Sequence, residues 1–257
     1  MSTQSIQNKK IIITGSSSGI GRAAAMQLAS EGAEVLLMAR RAEELQAVCD
    51  EIAEQGGTAH AYPIDLTDYD VVDKTIAEIL DQHGKIDVLV NNAGRSIRRK
   101  AAESLERFHD YERCMQINYF APLRLMKNLL PSMLEAGDGH FVNVLTWGTL
   151  MPAAYFTAYG ASKSALGAAT QGMDAELRPK GIAFTTVHYP LVHTDMSAPT
   201  DHYNKLPGMS PESAGKWIVK AVKKRPARIA PPYAVAAGIN NALFPGVSAT
   251  VAGKLKF

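Results

Sequence analysis

Cysteine is scarce in this chain: Cys49 and Cys114 are the only two among 257 residues, and they form neither a metal-binding nor a redox spacing. Such usage fits a reducing compartment and predicts a cytoplasmic protein. An excess of one charge sign is missing too, because 27 basic residues nearly cancel 25 acidic ones and leave +2. That argues against a nucleic-acid binder resting on a broad basic field. The seven histidines are scattered, and no metal site is expected from their spacing. Residues 1–10 are polar and lack the apolar stretch of a signal peptide. Residues 139–162 and 229–253 contain no Asp, Glu, Lys or Arg. Even so, Asn143, Gly148, Pro152 and Gly160 interrupt the first, and Pro231, Pro232, Asn240, Asn241 and Pro245 the second. A membrane span wants about 20 mostly apolar residues in succession.

What is present is alternation. Short apolar runs at 10–14, 34–38, 59–63, 86–90, 140–145 and 183–188 are separated by amphipathic stretches near 21–31, 42–54, 69–82, 104–134 and 157–178. Gly32, Gly56, Gly57, Gly84, Gly137 and Gly181 fall where those helices should stop. Strands alternating with helices predict right-handed βαβ units, hence an α/β fold with a doubly wound parallel sheet covered on both faces. No internal repeat or linker divides the chain before about residue 194. One domain over 1–257 is the reading, with a core at 1–193 and a loop plus apolar C-terminal segment at 194–257.

The first strand runs into Thr14-Gly15-Ser16-Ser17-Ser18-Gly19-Ile20-Gly21. Glycines at the first strand-to-helix turn let the backbone approach a pyrophosphate, whose charge a helix N-terminus stabilises. Turns need glycine for other reasons, but this one follows the first strand of a βαβ unit. The second strand ends Met38-Ala39-Arg40-Arg41, where an NAD site usually offers a carboxylate to the ribose 2′-hydroxyl. A guanidinium instead suits a 2′-phosphate, so NADP(H) is expected over NAD(H), unless Arg40 and Arg41 only solvate the next helix. Asp65 and Leu66 follow the third strand, and Asn91-Asn92-Ala93-Gly94 closes the fourth. Both are ends at which open α/β sheets bind ligands. A helix cap at Asp65 and a simple chain reversal at Asn91–Asn92 are the plainer alternatives.

Tyr159 and Lys163 make the chain's only Tyr-x-x-x-Lys pair. Residues four apart share a helix face, and a neighbouring ammonium favours the phenolate, bringing a phenol pKa near 10 toward neutral pH. Thirteen residues earlier, Thr146 ends a strand, where its hydroxyl could steady a carbonyl oxygen or merely serve the strand.

Together these residues carry a family resemblance. Over essentially its whole length, from Thr14-Gly15-x-x-x-Gly19-Ile20-Gly21 through Asn91-Asn92-Ala93-Gly94 to Tyr159-Gly160-Ala161-Ser162-Lys163, the chain resembles the short-chain dehydrogenases/reductases. The resemblance implies a Rossmann-type sheet of about seven strands, a nicotinamide cofactor and a tetrad of Asn118, Thr146, Tyr159 and Lys163. Asn118 matches a helix asparagine that helps hold a proton relay. By the same resemblance Gly15, Ser17, Ser18, Gly19, Ile20, Arg40, Arg41, Asp65, Leu66, Asn92, Ala93, Gly94, Tyr159, Lys163, Pro190, Val192 and Thr194 bind the cofactor. Two departures stand out: Thr146 occupies a usual serine position, and where the family has Pro-Gly-x-x-x-Thr this chain reads Tyr189-Pro190-Leu191-Val192-His193-Thr194, with proline at the glycine position. The resemblance also makes 1–193 a dinucleotide-binding core that carries the catalytic residues and 194–257 a substrate loop with the apolar C-terminal segment, and it implies a homodimer or homotetramer. Gly160, Ala161, Ala165, Gly167, Ala168 and Ala169 give the tyrosine helix a slim face, which either a partner or the sheet could use.

Residues 92–99, 107–113 and 190–196 further resemble the branch containing bacterial fatty acyl-CoA reductases. The expectation is therefore an NADP(H)-dependent reductase of a carbonyl or oxidiser of an alcohol, with reduction of an acyl thioester to an aldehyde as the alternative. Arg95, Arg98, Arg99 and Lys100 could bind coenzyme A phosphates, or solvate a loop. Tyr189, Pro190, Leu191, Val192, Met196 and the segment after Ile229 could wall an acyl chain, or that segment could pack on another subunit. Lys220, Lys223, Lys224, Arg225 and Arg228 complement a helix dipole or, less simply, touch anionic lipid. A non-catalytic dinucleotide sensor would need neither Tyr159 nor Lys163, and both are present.

Overall fold

Ile11, Ile12 and Ile13 have no solvent exposure, and they divide between two apolar layers, Ile11 and Ile13 in one and Ile12 in the other. A strand shows its side chains to alternate faces, so a run apolar at every position must be covered on both. The computed structural model, which describes residues 4–198 and 205–254, supplies that cover around a seven-stranded parallel sheet. Its strands are β1 (Lys10–Thr14), β2 (Glu34–Ala39), β3 (Thr58–Pro63), β4 (Val88–Asn91), β5 (Gly139–Thr146), β6 (Ile182–Tyr189) and β7 (Arg228–Ile229). The helices are α1 (Gly19–Ser30), α2 (Ala42–Glu54), α3 (Tyr69–His83), α4 (Phe108–Met115), α5 (Ala121–Ala136), α6 (Thr157–Leu177), α7 (Pro211–Lys224), α8 (Pro232–Leu243) and α9 (Pro245–Lys254).

On one face Val35 and Leu37 pack with Leu28 of α1, Leu45 and Ile52 of α2, and Ile218 of α7. On the other, Leu36 and Met38 pack with Ile76 of α3, Leu125 and Leu129 of α5, and Leu166 of α6. Each such side chain contributes about 1.5–3 kcal/mol on burial. Strand order is β3-β2-β1-β4-β5-β6-β7, so the chain builds outward from β1 and then crosses to β4 on its other side. Connections diverge at that switch point, leaving a crevice at the strands' carboxyl ends.

Strand β1 and helix α2 have the boundaries expected from the sequence, and Gly32, Gly56, Gly84, Gly137 and Gly181 all adopt positive φ at helix ends. The single amphipathic stretch expected at 104–134 is corrected. Regular helix starts at Phe108, and a π turn, Gln116–Phe120, separates α4 from α5. The segment after Ile229 folds as α8 and α9, with Ile239, Leu243, Phe244, Val247 and Val251 exposed rather than walling a cavity. Residues 199–204 of the expected substrate loop lie outside the described residues. Among the described residues no helix is long and apolar enough to cross a membrane. Lys223 pairs with Glu31 at 2.5 Å and Arg225 with Asp138 at 2.6 Å, so the basic cluster ending α7 is partly neutralised.

Candidate active site

Gly15 has φ +66°, and a Cβ there would lie 2.9 Å from Ala93 Cα. Both facts require glycine where the chain leaves β1. Gly19 is also left-handed, at φ +56°, and a Cβ on it would sit 3.2 Å from Thr194 Cγ2. Thr194 thus stands over the glycine turn. Ser18 is the N-cap of α1, yet its side chain makes no capping bond among the described residues, and the first turn carries no acid. The leading N–H groups of α1 remain available to an anion, as a pyrophosphate cradle requires.

The neighbouring turn is locked to this one. Asn92 Nδ2 donates to the Thr14 and Gly15 carbonyls at 2.9 and 3.2 Å, while Thr14 Oγ1 accepts from the backbone N–H groups of Asn92 and Ala93. Asn91 instead donates to Asn143 Oδ1 at 2.8 Å, and Asn143 donates to Thr170 Oγ1 of α6 at 2.9 Å. The two asparagines therefore do separate jobs, one bracing the glycine turn and the other tying β4 through β5 to α6. Asp65 is not the cap of α3, since Asp68 accepts from Val71 N–H in that role. Asp65 Oδ1 accepts from the backbone N–H and hydroxyl of Thr67. The Thr67 backbone bond, with Arg40 and Arg95 nearby, holds its carboxyl below the usual range. Arg41 donates to Ser17 Oγ at 3.1 Å and pairs with Glu44 at 3.3 Å. Arg40 is exposed and forms no ion pair among the described residues.

At the other end, Lys163 is 3% exposed and its Nζ donates to the Val144 carbonyl at 2.8 Å. Burial lowers its pKa to about 8. A Cβ on Gly94 would lie 3.3 Å from that Nζ and 2.8 Å from Asn118 Oδ1, so only glycine fits between them. Thr146 Oγ1 accepts from Gly148 N–H at 3.3 Å, which leaves its own proton to donate. Asn118, in the π turn, is wholly buried. Its Oδ1 accepts from Arg95 N–H, and its Nδ2 donates to the Arg95 carbonyl and to Ser162 Oγ, each at 2.9 Å. Both amide protons are thereby used.

A cleft of about 1640 Å³ opens over these elements. Gly15, Ser17, Ser18, Gly19, Ile20, Arg40, Arg41, Asp65, Leu66, Asn92, Ala93, Gly94, Thr146, Tyr159, Lys163, Pro190, Val192 and Thr194 all line it. Asn118 is absent from the wall and acts from behind it, through Arg95 and Ser162. Arg95, Arg98 and Arg99 reach the lining, whereas Lys100 pairs with Glu103 at 2.7 Å. Tyr189, Leu191 and Met196 contribute apolar wall as expected, but Tyr233 is the residue of the C-terminal segment that joins them, with its ring 5.6 Å from that of Trp147. Sequence reasoning missed Trp147, Met151 and Phe156 of the loop after β5, and Arg113 of α4. The loop's aromatic content directly after Thr146 was the available signal. The slim face of α6 is split: Gly167 meets Leu145 of the sheet, while Ala161 and Ala168 face outward.

This arrangement has close counterparts. A fatty acyl-CoA reductase of Mycobacterium tuberculosis is 48% identical over 241 residues, spanning 93% of this chain and 82% of that protein. A fatty acyl-CoA reductase of Acinetobacter baylyi is 45% identical over 248 residues, spanning 93% and 84%. A metagenomic short-chain oxidoreductase solved in complex with NADP superposes with a TM-score of 0.76 at 27% identity, over 88% of this chain and 97% of that one. Residues 9–205 match the family described as short chain dehydrogenase. With the glycine turn, the Tyr-x-x-x-Lys helix and the sheet order already in place, the chain belongs to the short-chain dehydrogenase/reductase family of oxidoreductases.

Proposed function

We propose that this protein is an NADP(H)-dependent reductase of a carbonyl carbon, and that the carbonyl is that of a fatty acyl thioester, released as an aldehyde. The observation that carries the reading is a buried ammonium, Lys163, in the same cleft as the Tyr159 phenol, the Thr146 hydroxyl and the uncapped start of α1. NADPH, when bound, supplies hydride to the substrate carbon. Ser17, Ser18, Ile20 and the leading N–H groups of α1 would hold its pyrophosphate, with Thr194 alongside, and Arg40 its 2′-phosphate. Asp65, Leu66, Asn92, Ala93, Gly94, Pro190 and Val192 would complete the cofactor wall. The NADP held by the solved neighbour supports that cofactor.

Tyr159 gives its phenolic proton to the carbonyl oxygen as the new C–H bond forms. Thr146 donates a hydrogen bond to the same oxygen while negative charge gathers there. Lys163 favours the phenolate that remains. Asn118 keeps Arg95 and Ser162 in place. Reduction of a thioester gives a hemithioacetal, whose hydroxyl proton passes to the departing thiolate, so aldehyde and thiol leave together. Support for this substrate comes from the two relatives named fatty acyl-CoA reductase, from Arg95, Arg98, Arg99 and Arg113 around a cleft suited to phosphates, and from its Met151, Phe156, Leu191 and Met196 wall. Cys114 is buried, with its thiol pushed up to about 11, and is not part of the lining, which disfavours a covalent thioacyl route. Ala161 and Ala168, small and outward on α6, support a homodimer or homotetramer.

Incubating protein and NADPH with a long-chain acyl-CoA, or separately with aliphatic and cyclic ketones, tests this. Nicotinamide oxidation matched by free thiol is expected with the thioester. Turnover of ketones alone overturns the substrate and leaves the hydride chemistry standing. Failure to bind NADPH overturns both.

A further inference from the structure

Far from the cleft, Glu34, His60 and His83 converge at the outer edge of the sheet, where β3 is the last strand. Glu34 opens β2, His60 lies within β3 and His83 closes α3. One carboxylate oxygen, Glu34 Oε1, faces both imidazoles: His60 Nε2 at 3.1 Å and His83 Nδ1 at 2.8 Å. All three donor atoms lie within 4.8 Å of one another. None of the three residues lines the cleft. We propose that Glu34, His60 and His83 form a binding site for a divalent transition ion of the zinc class, which staples β2, β3 and α3 together.

Two imidazole nitrogens with one carboxylate oxygen make a donor set that zinc accepts and that magnesium and calcium, which want oxygen alone, do not. Zinc bonds of about 2.0–2.2 Å at tetrahedral angles separate neighbouring donors by about 3.3 Å. The two carboxylate-to-imidazole separations, 3.1 and 2.8 Å, need to open by only a few tenths of an ångström, and the two imidazole nitrogens lie within 4.8 Å of each other. Outer partners are also in place. His83 Nε2 lies 2.7 Å from Tyr62 Oη, which in turn donates to Gln82 Oε1 at 3.3 Å. When Nδ1 turns its lone pair to an ion, the ring proton sits on Nε2, which donates a hydrogen bond to Tyr62 Oη, and such an outer partner fixes a ligating histidine. The charges around the group are mixed. Lys10 donates to the His83 backbone carbonyl and opposes a cation, whereas Glu34 and Glu78 both act on Tyr62 as negative neighbours. Partial exposure, 38% for the His60 side chain and 11% for His83, gives an ion entry from solvent.

The test is calorimetric titration of tag-free, chelator-treated protein with zinc, with magnesium as control, alongside thermal unfolding. One equivalent of zinc, a rise in Tm with zinc and none with magnesium are expected. His60→Ala and Glu34→Gln should abolish both responses while keeping the wild-type far-UV spectrum and NADPH affinity. Tyr62→Phe should weaken binding roughly tenfold, as loss of an outer partner does. No saturable zinc binding, or titration of His60→Ala like the wild type, overturns the proposal.

Discussion

Lys163 Nζ and the Val144 carbonyl oxygen are 2.8 Å apart, so a strand backbone pins the ammonium of α6. Burial brings that group to about pH 8 from its ordinary 10.5, with Cys114 acting weakly the other way. It is charged below that value and neutral above it. Because kcat/KM reports ionisations of the free enzyme, kcat/KM for reduction should fall as pH rises through about 8. Between about 8 and 10.5 the unfolded chain holds more protons at this site, so its contribution to stability increases with pH across that window. A pH–rate profile and urea unfolding measure the two effects, and a flat profile across the window removes Lys163 from the proton chemistry.

Tyr159→Phe removes one hydroxyl from the cleft wall. Loss of a general acid costs on the order of 10²–10⁴ in rate, so kcat should drop by that factor while NADPH affinity stays near that of the wild type. Single-turnover kinetics and nicotinamide fluorescence check the two halves. Near-normal turnover would show that another group delivers the proton.

Gly15→Ala would need a left-handed residue with its Cβ 2.9 Å from Ala93 Cα. Strain of about 1–3 kcal/mol is expected, shared between a lower Tm and weaker NADPH binding. Thermal unfolding with and without NADPH separates the shares, and an unchanged pair of values would contradict the close approach.

Arg40 and Arg41 are adjacent but unequal. Arg41 is already held by Ser17 and Glu44, whereas Arg40 has no ion pair among the described residues. Losing a hydrogen bond to a charged group costs about 1.5–3 kcal/mol. Arg40→Ala should therefore raise KM for NADPH by roughly 10- to 100-fold and leave that for NADH nearly unchanged. Arg41→Ala, by loosening the glycine turn, should weaken both cofactors. Equal effects of Arg40→Ala on the two would place the 2′-phosphate elsewhere.

The thiols of Cys49 and Cys114 are buried, and burial pushes each up to about 11. The folded protein should keep its activity after prolonged iodoacetamide at neutral pH, with both cysteines alkylated only once it is unfolded. Mass spectrometry of the native sample checks this. Modification of Cys114 coupled to inactivation would revive a thioacyl route.

Local order was the legible part of this chain. An uninterrupted isoleucine run needs cover on both faces, glycine tolerates positive φ at helix ends, and a phenol four residues before a lysine shares its helix face. What escaped depended on contacts between distant segments. The π turn at Gln116–Phe120 keeps the apolar rhythm of the helices on either side, so 104–134 read as one stretch. Strand β7 has only two residues, too few for any periodicity. Glu34, His60 and His83 have no ligand spacing because β2, β3 and α3 bring them together only in the folded sheet. Apolar character after Ile229 was visible, but which side chains turned inward was not, since Tyr233 meets Trp147 while Leu243 and Phe244 do not reach the cleft.

Helix α8 approaches the rim through Tyr233 against Trp147 and through Gly238, where a Cβ would come 3.3 Å from Leu150. Those touching points sit on the loop after Thr146, not on the glycine turn or on Lys163. Evolution could exchange this appendage between relatives, altering which molecules gain admission, without retuning the apparatus that handles the hydride.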